Sequence, residues 1–493
     1  MVVETYKNFI GGEWVKCASG KIAKSVNPAN LEVLGLFQDS STEDVNAAVD
    51  AGKNAFEKWS DMPAPKRGNI LFKAAELLKA EKEKLARLLT MEMGKVIAEA
   101  RGDVQEAIDV AEYMAGEGRR LFGHTTPSEL MDKFCFTIRR PIGVCGLITP
   151  WNFPIAIPAW KIMPALICGN TIVFKPSSDT PLCAIALVKI LEKAGVPKGV
   201  VNLVTGSGEA VGMSLVKHKD TRGISFTGSR DTGIEITKNA GIKRVGLELG
   251  GKNAIIVMDD ADLELAVDGI LWGGYGTTGQ RCTATSRIIV HEKIRGQLEK
   301  MLVERIKKLR LGDGLKKETD VGPLINAEAI EKVHRYTEIG LKEGAKLLCG
   351  GKKLIGAGGL KGYFYEPTLF TDVKCGMRIA QEEIFGPSVV LISVGNLNEA
   401  IKTANSVSYG LSSAIYTRSI RNAMKAVEKI EAGLTYVNSS TIGSEAHLPF
   451  GGVKETGNGT REGGIEGINE FSETKTAYID YSGRLQKAQI DIE

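Results

Sequence analysis

A chain of 493 residues exceeds the usual size of one domain, so two or three packed domains, each with its own core, are expected. Its 63 basic and 59 acidic residues leave a net charge of +4 without a block of like charge, which excludes a nucleic-acid partner and favours small-molecule chemistry. The cysteines at 17, 135, 145, 168, 183, 282, 349 and 375 form no C-x-x-C pair and the five histidines lie apart from them, so neither a disulfide framework nor a zinc site is indicated. The opening MVVETYKNFIGGEW lacks a basic segment followed by an apolar one, which makes the cytoplasm the default compartment. NFIGGEWV predicts two short strands about a Gly11-Gly12 turn, and Ser41 with Asp44 begins a helix that runs through Trp59. A long amphipathic helical stretch follows from about Lys66 to Leu89. From about Phe134 the pattern turns to β.

The most apolar region, Phe153 to Phe174, holds Lys161 and prolines at 154, 158 and 164, and reads as buried loop and core rather than as a membrane span. Strand and helix then alternate. TIVFK leads to a helix near 181–194, VNLVT to GSGEAVG and another helix, and ISFTG to a third. This is the rhythm of a doubly wound parallel sheet, whose ligands sit at the carboxyl ends of the strands. A second alternating unit begins near Gly250 with AIIVM, a helix from Leu263 to Tyr275, and SRIIV. The glycine-rich stretches 350–362 and 451–464 read as surface loops, and TKTAYIDYS as a β-rich tail.

Several residues are candidates for chemistry. GSGEAVG, with Gly208 at its third position, is close to a dinucleotide-binding turn, but its last glycine falls one position late. In FTGS, Gly228 permits close approach and Ser229 is placed to donate to a phosphate at a helix N-terminus. Cys282 in GQRCTA has Arg281 beside it, an environment that favours thiolate, although a lone cysteine is more often a small core side chain. Burial of Glu248 in LELGGK would raise its pKa towards that of a general base, and the bland alternative is a strand-end carboxylate paired with a lysine. Asn152 in PWNFP suits an oxyanion donor, or is an ordinary turn residue.

In order along nearly the whole chain, PWNFP, KPSSDTP, FTGS, LELGGKN, GQRC, EEIFGP and PFGG resemble the aldehyde dehydrogenase superfamily. The resemblance implies an α/β fold with two Rossmann-like doubly wound domains and a small β oligomerisation flap. The cofactor domain would span 1–120 and 142–249, the catalytic domain 250–455, and the flap 121–141 with 474–493. It implies oxidation of an aldehyde to a carboxylic acid with NADP or NAD, through a thioester on Cys282 that is hydrolysed with Glu248 as base and Asn152 as oxyanion donor. Lys175, Trp151, Gly228, Ser229, Leu249, Glu383 and Phe385 match positions around the cofactor, and Phe153 and Phe450 match aromatics of the substrate tunnel. Flaps of this kind pair by sheet extension, which implies a homodimer or tetramer.

One departure concerns the cofactor. Ser178 stands where NAD-preferring members commonly carry a glutamate for the adenosine ribose, so NADP is favoured, with dual use as the alternative. GQRCTATSR and LPFGG-V-K-E-T-G-N-G resemble dehydrogenases of 2-oxoglutarate semialdehyde, which points to an aldehyde with a remote carboxylate. Arg281 is one candidate to meet it, or it points inward to support its loop. The alternatives are a broad-range enzyme for aliphatic, aromatic or hydroxy-aldehydes and a non-catalytic protein on the same fold. Glu248 argues against acyl transfer to coenzyme A. A cysteine hydrolase would need a histidine partner for Cys282.

Overall fold

The computed structural model describes residues 3–354, 356 and 359–491. The first unit is built on a sheet of seven strands in the order Arg244–Glu248, Thr221–Thr227, Val144–Ile148, Thr171–Lys175, Val201–Leu203, Asn8–Ile10, Glu13–Val15. The first five are parallel, and the N-terminal hairpin closes the edge antiparallel. VCGLI and TIVFK are apolar along their whole length because both faces are covered. Helices Thr42–Ser60 and Arg230–Ala240 cover one face, where Val45, Val49, Val173, Ile224 and Ile236 share a core. Helices Ala64–Ala80, Ile97–Glu117, Ala156–Cys168 and Pro181–Ala194 cover the other.

Three sequence expectations change here. The stretch from Lys66 to Leu89 is two helices, Ala64–Ala80 and Lys82–Met93, with the turn at Glu81. Ile97–Glu117, to which the sequence reading assigns no element, is a helix of 21 residues. Much of its buried face is alanine (100, 107, 111 and 115), so the apolar contrast that reveals an amphipathic helix is weak. The region from Phe153 to Phe174 is not loop at its centre but the helix Ala156–Cys168, buried at every position except Ile157. A helix buried all round carries no 3.6-residue period, and its prolines disguise it further.

The second sheet runs Lys346–Cys349, Thr368–Thr371, Ser388–Val394, Thr285–His291, Asn253–Val257, Ser412–Tyr416, Leu434–Val437, parallel except at the first pair. A third, three-stranded sheet stands apart: Ser472–Asp480 pairs along nine residues with Lys133–Pro141, which pairs in turn with Thr125–Pro127. The strand starts at Ser472, two residues before the expected flap boundary, and residues 492 and 493 of that expected flap lie outside the described residues.

The expected surface loop 451–464 is instead wedged between the two units, with Gly451, Gly452, Thr456 and Glu462 buried. Of the other expected loop, 350–362, residues 355, 357 and 358 lie outside the described residues. Among the described residues no helix is long and apolar enough to cross a membrane, and no cluster of histidine, cysteine and carboxylate side chains is placed to hold a metal ion.

Candidate active site

The helix Leu263–Tyr275 ends in a turn that delivers Cys282. Thr277 and Thr278 both take left-handed backbone angles, φ +51° and +57°, which cost β-branched residues about 1–3 kcal/mol each. The surroundings hold them there. The Thr277 N–H donates to both carboxylate oxygens of Glu99 at 2.8 and 3.0 Å, and the Thr278 hydroxyl to the Gly322 carbonyl at 3.0 Å. Beyond the turn, Asn253 Nδ2 donates to the carbonyls of Cys282 and Ala284 at 2.7 and 2.9 Å. The first carbonyl lies so close to Gly251 that a Cβ there would be 2.3 Å from it, so this position of the Gly250-Gly251 pair has to lack a side chain.

Two cavities meet at Cys282. One of about 390 Å³ is walled by Trp151, Asn152, Gly228, Ser229, Leu249, Glu383 and Phe385 among others, at the carboxyl ends of the first sheet's strands. A smaller one of about 110 Å³ is walled by Phe153, Glu248, Arg281 and Phe450. Twelve of the fifteen candidate residues named from sequence therefore line these two spaces, Cys282 and Leu249 both. Lys175, Ser178 and Gly208 do not line them. Lys175 ends a strand, buried, and that burial lowers its pKa to about 8 against the opposing pull of Asp179. Ser178 is exposed and donates its hydroxyl to the Gly206 carbonyl at 2.9 Å, and Gly208 opens an exposed π-helical turn.

Glu248 closes the strand Arg244–Glu248 and is buried with neither carboxylate oxygen in a hydrogen bond. Backbone comes close to it: a Cβ on Gly451, whose φ is +148°, would lie 2.5 Å from Oε1. Burial pushes its pKa well above the ordinary carboxylate value, Glu462 adds to this, and Lys161 opposes it. Lys161 is paired with Glu462 and donates to the Ser225 hydroxyl at 2.8 Å. The buried Glu470 is raised to about 7 by desolvation.

Asn152 donates one N–H to the Gln280 carbonyl at 3.0 Å, and its Oδ1 is buried without a partner. Glu383 accepts from the Gly251 N–H at 2.8 Å, and burial raises its pKa. Ser229 caps the helix Arg230–Ala240 by accepting from the Thr232 N–H, which leaves that helix N-terminus facing the larger cavity.

The thiol differs from expectation. Burial, followed by Glu383 and Glu248, pushes Cys282 up to about 12. Arg281 does not offset this, because it is committed elsewhere: Nη2 pairs with Glu99 at 3.3 Å, Nε donates to the Thr277 hydroxyl at 2.8 Å, and the guanidinium lies over Phe153 and Trp272 at 5.3 and 4.9 Å.

Sequence reasoning missed Trp160 and Glu106 in the smaller cavity, and Asp179 and Asn326 in the larger. Trp160 Nε1 donates to Glu106 at 2.7 Å, and both sit on the two helices that the reading did not find. Asp179 accepts from Asn326 Nδ2 at 3.1 Å, a contact between residues 147 apart that no local pattern announces.

The pattern of the aldehyde dehydrogenase family matches residues 14–477. Alpha-ketoglutaric semialdehyde dehydrogenase of Bacillus subtilis is 42% identical over 479 residues, 96% of this chain and 98% of that protein. Alpha-ketoglutarate semialdehyde dehydrogenase of Haloferax volcanii is 43% identical over 480 residues, 96% and 99% of the two chains. Among solved structures, betaine aldehyde dehydrogenase from Staphylococcus aureus in complex with NAD+ superposes with a TM-score of 0.95 at 38% identity, covering 98% of this chain and 96% of that one.

Proposed function

The chain belongs to the aldehyde dehydrogenase family and oxidises an aldehyde to a carboxylic acid with a nicotinamide dinucleotide, and we propose that it does so through a thioester on Cys282 hydrolysed with Glu248 as base. The observation that carries this reading is the place of Cys282 between two spaces, one fit for a dinucleotide and the other holding an unpartnered buried carboxylate. The fit rests on the donor set: the N-terminus of Arg230–Ala240 and Ser229 for phosphate, the Glu383 carboxylate for ribose hydroxyls, and Trp151 with Phe385, edge to face at 5.5 Å, as an aromatic wall. The nicotinamide, when bound, supplies the hydride acceptor.

The Cys282 thiol gives up its proton to water as its sulfur adds to the aldehyde carbon, and the oxygen that gains charge meets the Asn152 amide, whose second N–H is not taken by Gln280. Loss of hydride leaves the thioester. Glu248 in its ionised form then removes a proton from water, and the hydroxide displaces the thiolate. Low dielectric and the Glu462 carboxylate make Glu248 a stronger base than an exposed glutamate.

The proposed substrate is a semialdehyde bearing a remote carboxylate. The names of the two curated relatives support it. A second reading, an uncharged or cationic aldehyde, is favoured by the aromatic lining of Phe153, Trp160 and Phe450 around Glu106. For the cofactor we propose that NADP is used at least as well as NAD, because no carboxylate stands at Ser178 to repel a 2′-phosphate near Lys175. Asp179, the next residue after Ser178, lines the larger cavity and accepts from Asn326 and from the Ser177 hydroxyl.

Steady-state kcat/KM for 2-oxoglutarate semialdehyde, succinate semialdehyde, propanal and betaine aldehyde with each cofactor tests all of this. Higher values for propanal or betaine aldehyde overturn the carboxylate preference. NAD use about tenfold better than NADP, or undiminished NADP use in Ser178→Glu, overturns the cofactor reading. We further propose a homo-oligomer joined through the three-stranded flap and, from eight free thiols, a cytoplasmic setting.

A further inference from the structure

Glu99 lies on the helix Ile97–Glu117 of the first unit, while the loop it holds belongs to the second. It is 9% exposed, and among the described residues its side-chain hydrogen bonds all go to that loop. Its two oxygens take the Thr277 N–H at 2.8 and 3.0 Å, Oε2 takes the Thr277 hydroxyl at 3.3 Å, and Oε1 takes Arg281 Nη2 at 3.3 Å. Arg281 Nε returns to the Thr277 hydroxyl at 2.8 Å, which closes a ring of three side chains around the strained pair Thr277 and Thr278. Three residues on from Thr277, the same loop carries Gln280, whose carbonyl holds Asn152, and then Cys282. The guanidinium in this ring is also part of the wall of the smaller cavity.

We infer that Glu99 is a positioning residue with two effects: it fixes the backbone that presents Cys282, and by holding Arg281 it sets the charge that the smaller cavity shows to a substrate. The inference rests on Cys282 as nucleophile and on the smaller cavity as the substrate's path. The physical basis is simple. A carboxylate that accepts two bonds from one N–H in a left-handed turn stabilises that turn against relaxation to ordinary angles. A guanidinium already neutralised by a buried carboxylate attracts a second carboxylate weakly, and once freed it attracts one strongly.

The two effects separate in two variants. Glu99→Gln keeps an oxygen for the Thr277 N–H and removes the charge, whereas Glu99→Ala removes both. The expected result in Gln is near-parent kcat/KM for propanal together with a rise of about fivefold in the ratio of kcat/KM for succinate semialdehyde to that for propanal, strongest at low salt. In Ala, propanal kcat/KM falls by about tenfold, mostly in kcat, because the nucleophile is no longer held. A loss of packing alone would lower both substrates together and leave their ratio unmoved.

If the ratio in Gln stays within about twofold of the parent, the charge role is overturned; if Ala keeps propanal turnover within about twofold, the positioning role is overturned. Should Ala fail to fold, Gln still decides the charge role, and Glu99→Asp, which keeps the charge but draws the carboxylate back from the Thr277 N–H by one methylene, serves for the loop, with a fall of about fivefold in propanal kcat expected. Propanal turnover in Glu99→Asp within about twofold of the parent would overturn the assignment of loop positioning to Glu99. Turnover by Cys282→Ser at the parent's rate would instead overturn the thioester reading itself, so the two failures are distinguishable.

Discussion

At the scale of single residues, two ionisations govern the chemistry. Cys282 is pushed up to about 12 by burial and by Glu383 and Glu248, so below that value its thiolate fraction grows about tenfold per pH unit. Alkylation of Cys282 by iodoacetamide, followed on its own peptide by mass spectrometry in the cofactor-free enzyme, is expected to accelerate through pH 9 without a plateau. A plateau below pH 8 contradicts the surroundings assigned to the thiol.

Glu248 is raised well above the ordinary carboxylate value, so hydrolysis, which needs its ionised form, gains rate as pH rises through that raised value. Glu248→Gln is expected to retain one rapid burst of NAD(P)H and then show little steady flux, without the parent's rise with pH. A variant with no burst places Glu248 in an earlier step.

At the scale of elements, the start of the helix Pro181–Ala194 depends on a residue far from it in sequence. Pro181 at the first position removes one orphan donor, and the buried Glu92 takes the N–H groups of Leu182 and Cys183 at 2.8 Å each as well as the Ser25 hydroxyl at 2.7 Å. Glu92→Ala leaves three donors unpaired and is expected to lower stability by about 2–4 kcal/mol in urea unfolding.

The same carboxyl gives a pH signature. Burial raises it from 4.5 to about 7 in the folded chain, so its contribution is fully present below the unfolded value and is lost as pH rises through 7. The parent's unfolding midpoint is therefore expected to fall between pH 5 and 8 relative to that of Glu92→Gln. Parallel midpoints would exclude the linkage.

At the scale of the whole molecule, the three-stranded flap exposes Phe134, Ile138, Tyr478 and Ile479. The second sheet ends in Leu434–Val437, a strand paired on one side only among the described residues, and its Val437 is exposed. A free edge and an apolar ribbon on one chain are complementary in two copies, which would satisfy both. Light scattering is expected to give two or four times 53.1 kDa, and Ile479→Glu to shift it downwards. A monomeric parent at micromolar concentration would remove the flap's assigned role.

The sequence by itself determined what depends on neighbours along the chain. The alternation of strand and helix from Thr171 onward, the hairpin at Gly11-Gly12 and the capped helix after Ser41 are local patterns, and they are found where they were expected. The ordered motifs also singled out Asn152, Glu248 and Cys282, which the fold gathers at two adjoining cavities. The helices Ile97–Glu117 and Ala156–Cys168 escaped because one is alanine-faced and the other buried all round, so neither carries the apolar period by which a helix is read.

With those two helices went Glu99, Glu106 and Trp160. Only the tertiary structure decided that Arg281 answers to Glu99, 182 residues away, rather than to the adjacent thiol. It also buried Glu248 close to the Gly451 backbone and within the field of Glu462, and so raised its proton affinity. Proton affinity and charge pairing follow from dielectric and from distance in space, and neither is written in the spacing of residues along a chain.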